Sequence, residues 1–367
     1  MSKSLTIALA IIVAGIVSVY TGFSTAVLEL MAGAAARNLL GLQPNIPWLT
    51  FLANLGLLGL MFYAGFEVEV PMLKRNFLRA SVLAGLAYFV PLLVTFSACR
   101  WMLHYDVAVS FLVGIALSTT SVALVYSVLD TRKWTGKPSG QLMLGGAMLI
   151  DTFSLLSLAL LFGGLDWYTL IELGVIAVLL MLVRRFGARL FRRCGGRLEE
   201  MEMRFLLLVL VGIAFLAEQV QIHGAILAFV LGLLMSELRQ RHPGATEKFR
   251  PVIFGFLAPL FFFQAGLLME LRELSWSSLW VLLLLGIVAF GSKFGAAVWG
   301  FRGFSLRRAF VCGWVFNLRL TFGIIAAVFG LESGLLNSSL YSVILGIVLL
   351  TSIFSSFAIR GFTLHEL

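Results

Sequence analysis

Asp151 is the single charge in the apolar stretch 141–164, QLMLGGAMLIDTFSLLSLALLFGG. Lys293 lies within a second such stretch, 276–302. An ionisable side chain at bilayer depth is costly, so it marks an ion or proton pathway by default. Counted from residue 138, Asp151 is about 20 Å along a helix that rises about 1.5 Å per residue, close to a bilayer midplane. That position suits an ion ligand that also carries the proton; the alternative is a buried acid satisfied by a helix contact. Lys293 is about 14 Å from Arg302 by the same rise, further than its stem can snorkel. It reads as a cationic partner that Asp151 releases when a cation enters, or as half of a fixed structural ion pair.

Polar interruptions mark two other spans. Ser118–Ser121 fall inside GIALSTTSVALVYSVL, and Asn317 and Arg319 inside WVFNLRLTFG. Hydroxyls at a helix break can bond the freed backbone groups, and the exposed carbonyls can coordinate cations. Arg319 needs carbonyls or an acid, so it is expected to cap a half-helix or to pair with Glu67, and a structural role is favoured over ion contact. Glu67, in LMFYAGFEVEV, precedes Pro71 and Lys74-Arg75 and reads as an interfacial salt bridge. Glu29 and Glu218 lie within or near span ends. Gln264 and Pro259 suggest a kinked helix with one polar handle, and His223 reads as structural.

These residues must be positioned by membrane helices. The 367-residue chain is 60% hydrophobic and 12% charged, with a mean hydropathy of +1.01. That composition marks a polytopic membrane protein. Long runs containing small residues indicate helices and not the alternating strands of a barrel. Spans of roughly 20 apolar residues fall near 4–20, 24–41, 46–70, 77–103, 106–129, 138–164, 166–190, 203–220, 222–237, 250–270, 276–302, 305–331 and 337–359, about thirteen in all. The first lacks a small-residue cleavage site and is expected to be retained. No soluble domain is expected, so the whole of 1–367 reads as one transmembrane transporter domain.

With the N-terminus outside, 21 of the 27 Lys and Arg fall on the inner side, among them the run from Arg184 to Arg204. Lys3, Arg37, Arg100 and Arg272 fall on the other. This follows the positive-inside rule. The net charge of +9 therefore serves topology, with a lipid bilayer and no nucleic acid as partner. The three cysteines have no metal or disulfide spacing. No P-loop, HExxH or CxxC is present, so an ion gradient is the expected energy source; the chain is not read as an enzyme and no cofactor is expected. Spans two to six (24–164) and nine to thirteen (222–359) form two sets of five whose fourth members carry the polar centres, the pattern of an inverted repeat.

Taken in order, LELMAG (28–33), LGLMFYAGFEVEV (58–70), GIALSTTSVALVYSVL (114–129), GGAMLIDTFSLLSLAL (145–160), HGAILAFVLGLLMS (223–236), APLFFFQAGL (258–267) and GSKFGA (291–296) resemble the monovalent cation:proton antiporter superfamily. The branch is the one with Kef-type potassium systems and NapA-type sodium/proton antiporters. The resemblance implies a dimerisation part, a mobile core and two broken helices that cross at the site, in a homodimer; the Lys and Arg distribution gives the expected cytoplasmic C-terminus, in a bacterial inner membrane. A separate regulatory subunit is a possible further partner. Thr120 and Ser121 match the first crossing helix, Asp151 the nearly universal aspartate, and Lys293 the lysine of electrogenic members. Two departures stand out. Ile150 replaces the Asp, Asn or Gln that usually precedes the aspartate, and Arg319-Leu320-Thr321 alters the second crossing helix. With one carboxylate, exchange of one proton for one monovalent cation is electroneutral unless Lys293 deprotonates. The expectation is that Asp151 binds proton and cation, Na+ or K+, in turn, with Ser154 or water filling the missing ligand. The alternative is a gated or passive cation pathway, or a transport-inactive regulatory relative with a fixed Asp151–Lys293 pair.

Overall fold

The computed structural model describes residues 3–66, 77–162, 201–220, 224–241 and 247–360, with short helical pieces between 178 and 189. The described residues are helical and contain no strand. In order they form α1 (Lys3–Thr21), α2 (Thr25–Asn38), α3 (Pro47–Phe66) and α4 (Phe77–Ser97), which is extended by a π turn at Ala98–Met102. There follow α5 (Val107–Ser118), α6 (Val122–Thr131), α7 (Pro138–Phe162), α8 (Met201–Val220), α9 (Gly224–Arg241) and α10 (Phe249–Leu267). The last four are α11 (Trp276–Gly300), α12 (Leu306–Phe316), α13 (Thr321–Glu332) and α14 (Ser338–Arg360).

Among the described residues, nine stretches are long and apolar enough to cross a bilayer, counting α5 with α6 and α12 with α13 as one each. The expected spans 24–41 and 222–237 are shorter than anticipated. α2 has 14 residues, about 21 Å against a hydrocarbon core of about 30 Å. α9 is apolar only over Gly224–Ser236 before its charged end. The expected span 166–190 lies largely outside the described residues, as do Glu67 and His223.

The chain divides into two compact units. One comprises residues 43–69 and 162–264. There α3 and α9 approach until backbone meets backbone. A Cβ on Gly65 would lie 2.1 Å from the Phe229 carbonyl oxygen, and one on Gly232 would lie 1.9 Å from that of Phe62. Glycine at these two positions is what permits the contact, as close membrane-helix packing requires. The rings of Phe62, Phe66 and Phe249 fill the space beside it.

The other unit comprises residues 1–42, 70–161 and 265–367 and holds every described candidate site residue. α4 packs on α5 and α11, and α13 packs on α5 and α14. Phe290 of α11, Trp314 of α12 and Phe354 of α14 form one aromatic cluster, with centroids 5.4–6.1 Å apart. Dispersion and close fit hold such packing where lipid removes the hydrophobic drive between helices. The cluster ties α11, α12 and α14 together just outside the helix breaks.

Candidate functional site

Two of the apolar stretches are not single helices. α5 ends at Ser118 and α6 begins at Val122, with Thr119 and Ser121 extended between them. α12 ends at Phe316 and α13 begins at Thr321. Local chemistry favours both breaks. Ser, Thr and Asn side chains compete for backbone groups that a continuous helix would use. Thr119 Oγ1 donates to the Ala116 carbonyl (3.2 Å), and Asn317 Nδ2 to that of Gly313 (2.9 Å).

The breaks meet. Ser121 N donates to the Leu318 carbonyl at 2.8 Å, and Thr120 Oγ1 to that of Phe316 at 2.9 Å. The hydroxyls of Ser121 and Thr321 are 3.4 Å apart. Irregular backbone at membrane depth is tolerated only where it is buried in protein or lines a cavity. Residues 118–121 and 317–320 are all buried.

Both expected cations lie at this crossing, and Lys293 sits at the carbonyl end of a half-helix. The Lys293 ammonium, fully buried, donates to the carbonyls of Ser118 and, at 2.7 Å, Thr119. A cation there satisfies orphan carbonyls and complements the negative end of the α5 dipole. Arg319, also fully buried, donates through Nη2 to the Ala289 carbonyl of α11 (2.7 Å) and to Asn317 Oδ1 (2.8 Å). Its own backbone is clamped by Ser352 of α14, whose hydroxyl accepts from Arg319 N (3.2 Å) and donates to the Arg319 carbonyl. The Arg319 Nε and Nη1 groups are buried without a partner.

Asp151 is on α7 in the same unit. α7 passes close to the end of α12, where a Cβ on Gly146 would come within 3.0 Å of the Phe316 ring. Asp151 is about 7.5 Å further along and lies within electrostatic range of Lys293. It is not in ion-pair contact with that ammonium, which is taken by the two carbonyls. Oδ1 of Asp151 is buried with no hydrogen-bond partner. The residue keeps 9% of its surface accessible while Ile150 and Ser154 beside it keep none. The Ser154 hydroxyl donates to the Ile150 carbonyl (2.8 Å).

The structure thus brings Thr120, Ser121, Lys293, Asn317 and Arg319 into one hydrogen-bonded crossing, with Asp151 and Ser154 on the adjacent helix. Arg319 takes a carbonyl and an amide; its other expected partner, Glu67, is outside the described residues. Sequence reasoning missed Ser352, because a hydroxyl in a Ser-rich span such as TSIFSS is ordinary helix packing. It also missed the Ser118 and Thr119 carbonyls as partners of Lys293, since every residue carries a carbonyl and only the break exposes these.

The model of the family described as sodium/hydrogen exchanger, transmembrane, matches residues 5–364. The chain belongs to this family. As an exchanger it is 24% identical over 324 residues to the probable Na(+)/H(+) antiporter 3 of Methanocaldococcus jannaschii, covering 85% of this chain and 83% of that protein. It is 26% identical over 356 residues to the Na(+)/H(+)-K(+) antiporter GerN of Bacillus cereus, covering 92% and 90%. Its fold is similar to that of the sodium proton antiporter MjNhaP1 from Methanocaldococcus jannaschii at pH 8, with a TM-score of 0.70 and 16% identity over 98% of both chains. The exchanger is a multi-pass membrane protein that transports by cation/proton exchange.

Proposed function

We propose that this exchanger moves a monovalent cation, Na+ or K+, against protons by alternating access, with Asp151 as the group that holds each in turn. The observation that carries the reading is the Asp151 carboxylate, buried beside a crossing of broken helices, with one oxygen lacking any partner. A buried charge without a partner is unstable, so the carboxylate requires a proton or a metal cation. Ser154 supplies a further oxygen in place of the missing polar residue at Ile150. Thr120 and Ser121 hold the crossing in register, and Lys293, Asn317 and Arg319 neutralise or brace its carbonyl ends.

One carboxylate binds one positive guest at a time, so one proton is exchanged for one cation and no net charge moves. This holds as long as Lys293 keeps its proton on the two carbonyls. The alternative of a permanent Asp151–Lys293 pair, in a passive pathway or inactive relative, requires the ammonium on the carboxylate; its bonds to Ser118 and Thr119 favour the exchanger. The positive-inside bias supports an external N-terminus, a cytoplasmic C-terminus and an inner-membrane setting. GerN's name, which includes both sodium and potassium, supports testing both ions.

The test is exchange in proteoliposomes, read by dequenching of a pH-sensitive dye when sodium, potassium or lithium is added. The native chain is expected to dissipate the gradient and Asp151→Asn to leave it intact. Exchange by Asp151→Asn at the native rate overturns the proposal.

A further inference from the structure

Outside the crossing, one cavity combines an apolar floor with a basic rim. It occupies about 510 Å³ between the last turns of α11 and the start of α12. Phe294, Val298, Trp299, Arg302 and Leu306 line it. The floor is open because Gly295 has no atom within 4 Å of where its Cβ would stand. Trp299 is 60% exposed, and the Arg302 guanidinium stacks on its ring.

Charge and depth indicate the occupant. The segment FRGFSLRR (301–308) carries Arg302, Arg307 and Arg308 and no acid. These lie on the side of the chain that holds most of its Lys and Arg, which the positive-inside bias assigns to the cytoplasm. Tryptophan and arginine at a span end mark headgroup level. Ser305, the residue preceding α12, makes no side-chain cap to the first-turn N–H groups of that helix. An apolar slot lined by Arg302 over the Trp299 ring fits a molecule with an acyl chain and a phosphate.

We propose that this groove binds one anionic phospholipid, with the acyl chain along Gly295, Val298 and Trp299 and the phosphate held by Arg302. The site is at the cytoplasmic end of α12, whose other end, Phe316, accepts the Thr120 hydroxyl at the crossing. A bound lipid therefore steadies one of the two broken helices from its far end. The inference rests on the membrane setting and the groove, and not on the assignment of Asp151.

Native mass spectrometry of the detergent-purified full chain tests it, with phosphatidylglycerol, phosphatidylcholine and inorganic phosphate offered separately. One phosphatidylglycerol is expected to remain bound where phosphatidylcholine and inorganic phosphate do not. Arg302→Ala is expected to lower its retention roughly fivefold. Gly295→Leu, which fills the open floor and leaves every charge in place, is expected to lower it as well. Equal retention of phosphatidylcholine overturns the proposal. So does undiminished phosphatidylglycerol on either variant, or inorganic phosphate that displaces the lipid. Because the readout is lipid retention, its failure is separate from any failure of Asp151 to exchange ions.

Discussion

The Lys293 ammonium of α11 donates to the Thr119 carbonyl at 2.7 Å and also to that of Ser118, so a charged side chain closes the broken end of α5. The carbonyls it satisfies are the kind that would otherwise coordinate an alkali cation. Lys293→Met removes the donors and leaves two buried acceptors open, a loss of about 1–3 kcal/mol. Thermal unfolding in detergent is expected to show a lower midpoint for this variant. Added sodium or potassium is expected to raise that midpoint more than it raises the native one, since the vacated carbonyls can take the ion.

Asp151→Asn is expected to separate stability from activity. The native carboxylate has an oxygen buried without a partner. Replacing it with a neutral amide of the same shape relieves a buried charge, so unfolding should occur at an equal or higher temperature while exchange is lost. A variant that loses exchange by unfolding would contradict this.

Proton and cation compete for one carboxylate, so acidity should raise the cation concentration needed for half-maximal exchange. Below the pH at which Asp151 takes its proton, that concentration is expected to rise about tenfold per pH unit, because only the ionised form binds the cation. Initial rates measured against cation concentration at a series of pH values test this. A pH-independent half-maximal concentration would exclude competition.

Because Ile150 contributes no second carboxylate, exchange is expected to move no net charge. Proteoliposomes carrying an imposed potassium-valinomycin potential, with sodium as the test ion, should exchange at the same rate as those without it. A rate that follows the potential would mean that Lys293 gives up its proton during the cycle.

Ser352→Ala tests the brace on the second break. Its hydroxyl bonds both the N–H and the carbonyl of Arg319. The loss of two buried bonds to a segment outside regular helix is expected to cost about 1–3 kcal/mol and to slow exchange. Gly232→Ala tests a different contact, since its Cβ would lie 1.9 Å from the Phe62 carbonyl oxygen. That overpacking is expected to cost about 1–3 kcal/mol, whereas Gly212→Ala, with nothing within 4 Å, should be close to neutral in the same unfolding assay.

How much was legible beforehand differs from residue to residue. Hydropathy, a sum over neighbours in sequence, revealed the membrane class and most spans. It overestimated α2 because the apolar count continues through Leu39 and Leu40 after the helix stops at Asn38. The breaks at residues 119–121 and 317–320 were readable because Ser, Thr and Asn at the centre of an apolar run compete locally for backbone bonds. Asp151 and Lys293 stood out for the cost of a charge at that depth.

The sequence by itself therefore determined that this chain spans a membrane, where its helices are interrupted and which acid is isolated among apolar neighbours. Each of these is decided by residues a few positions apart. Only the tertiary structure decided that Lys293 serves carbonyls 174 and 175 residues away in the chain in place of the carboxylate, that Ser352 clamps Arg319, and that the two breaks touch at Ser121 and Leu318. Those choices are made at hydrogen-bond distance between helices remote in sequence, and a carbonyl becomes an acceptor for a distant lysine only once a break has freed it.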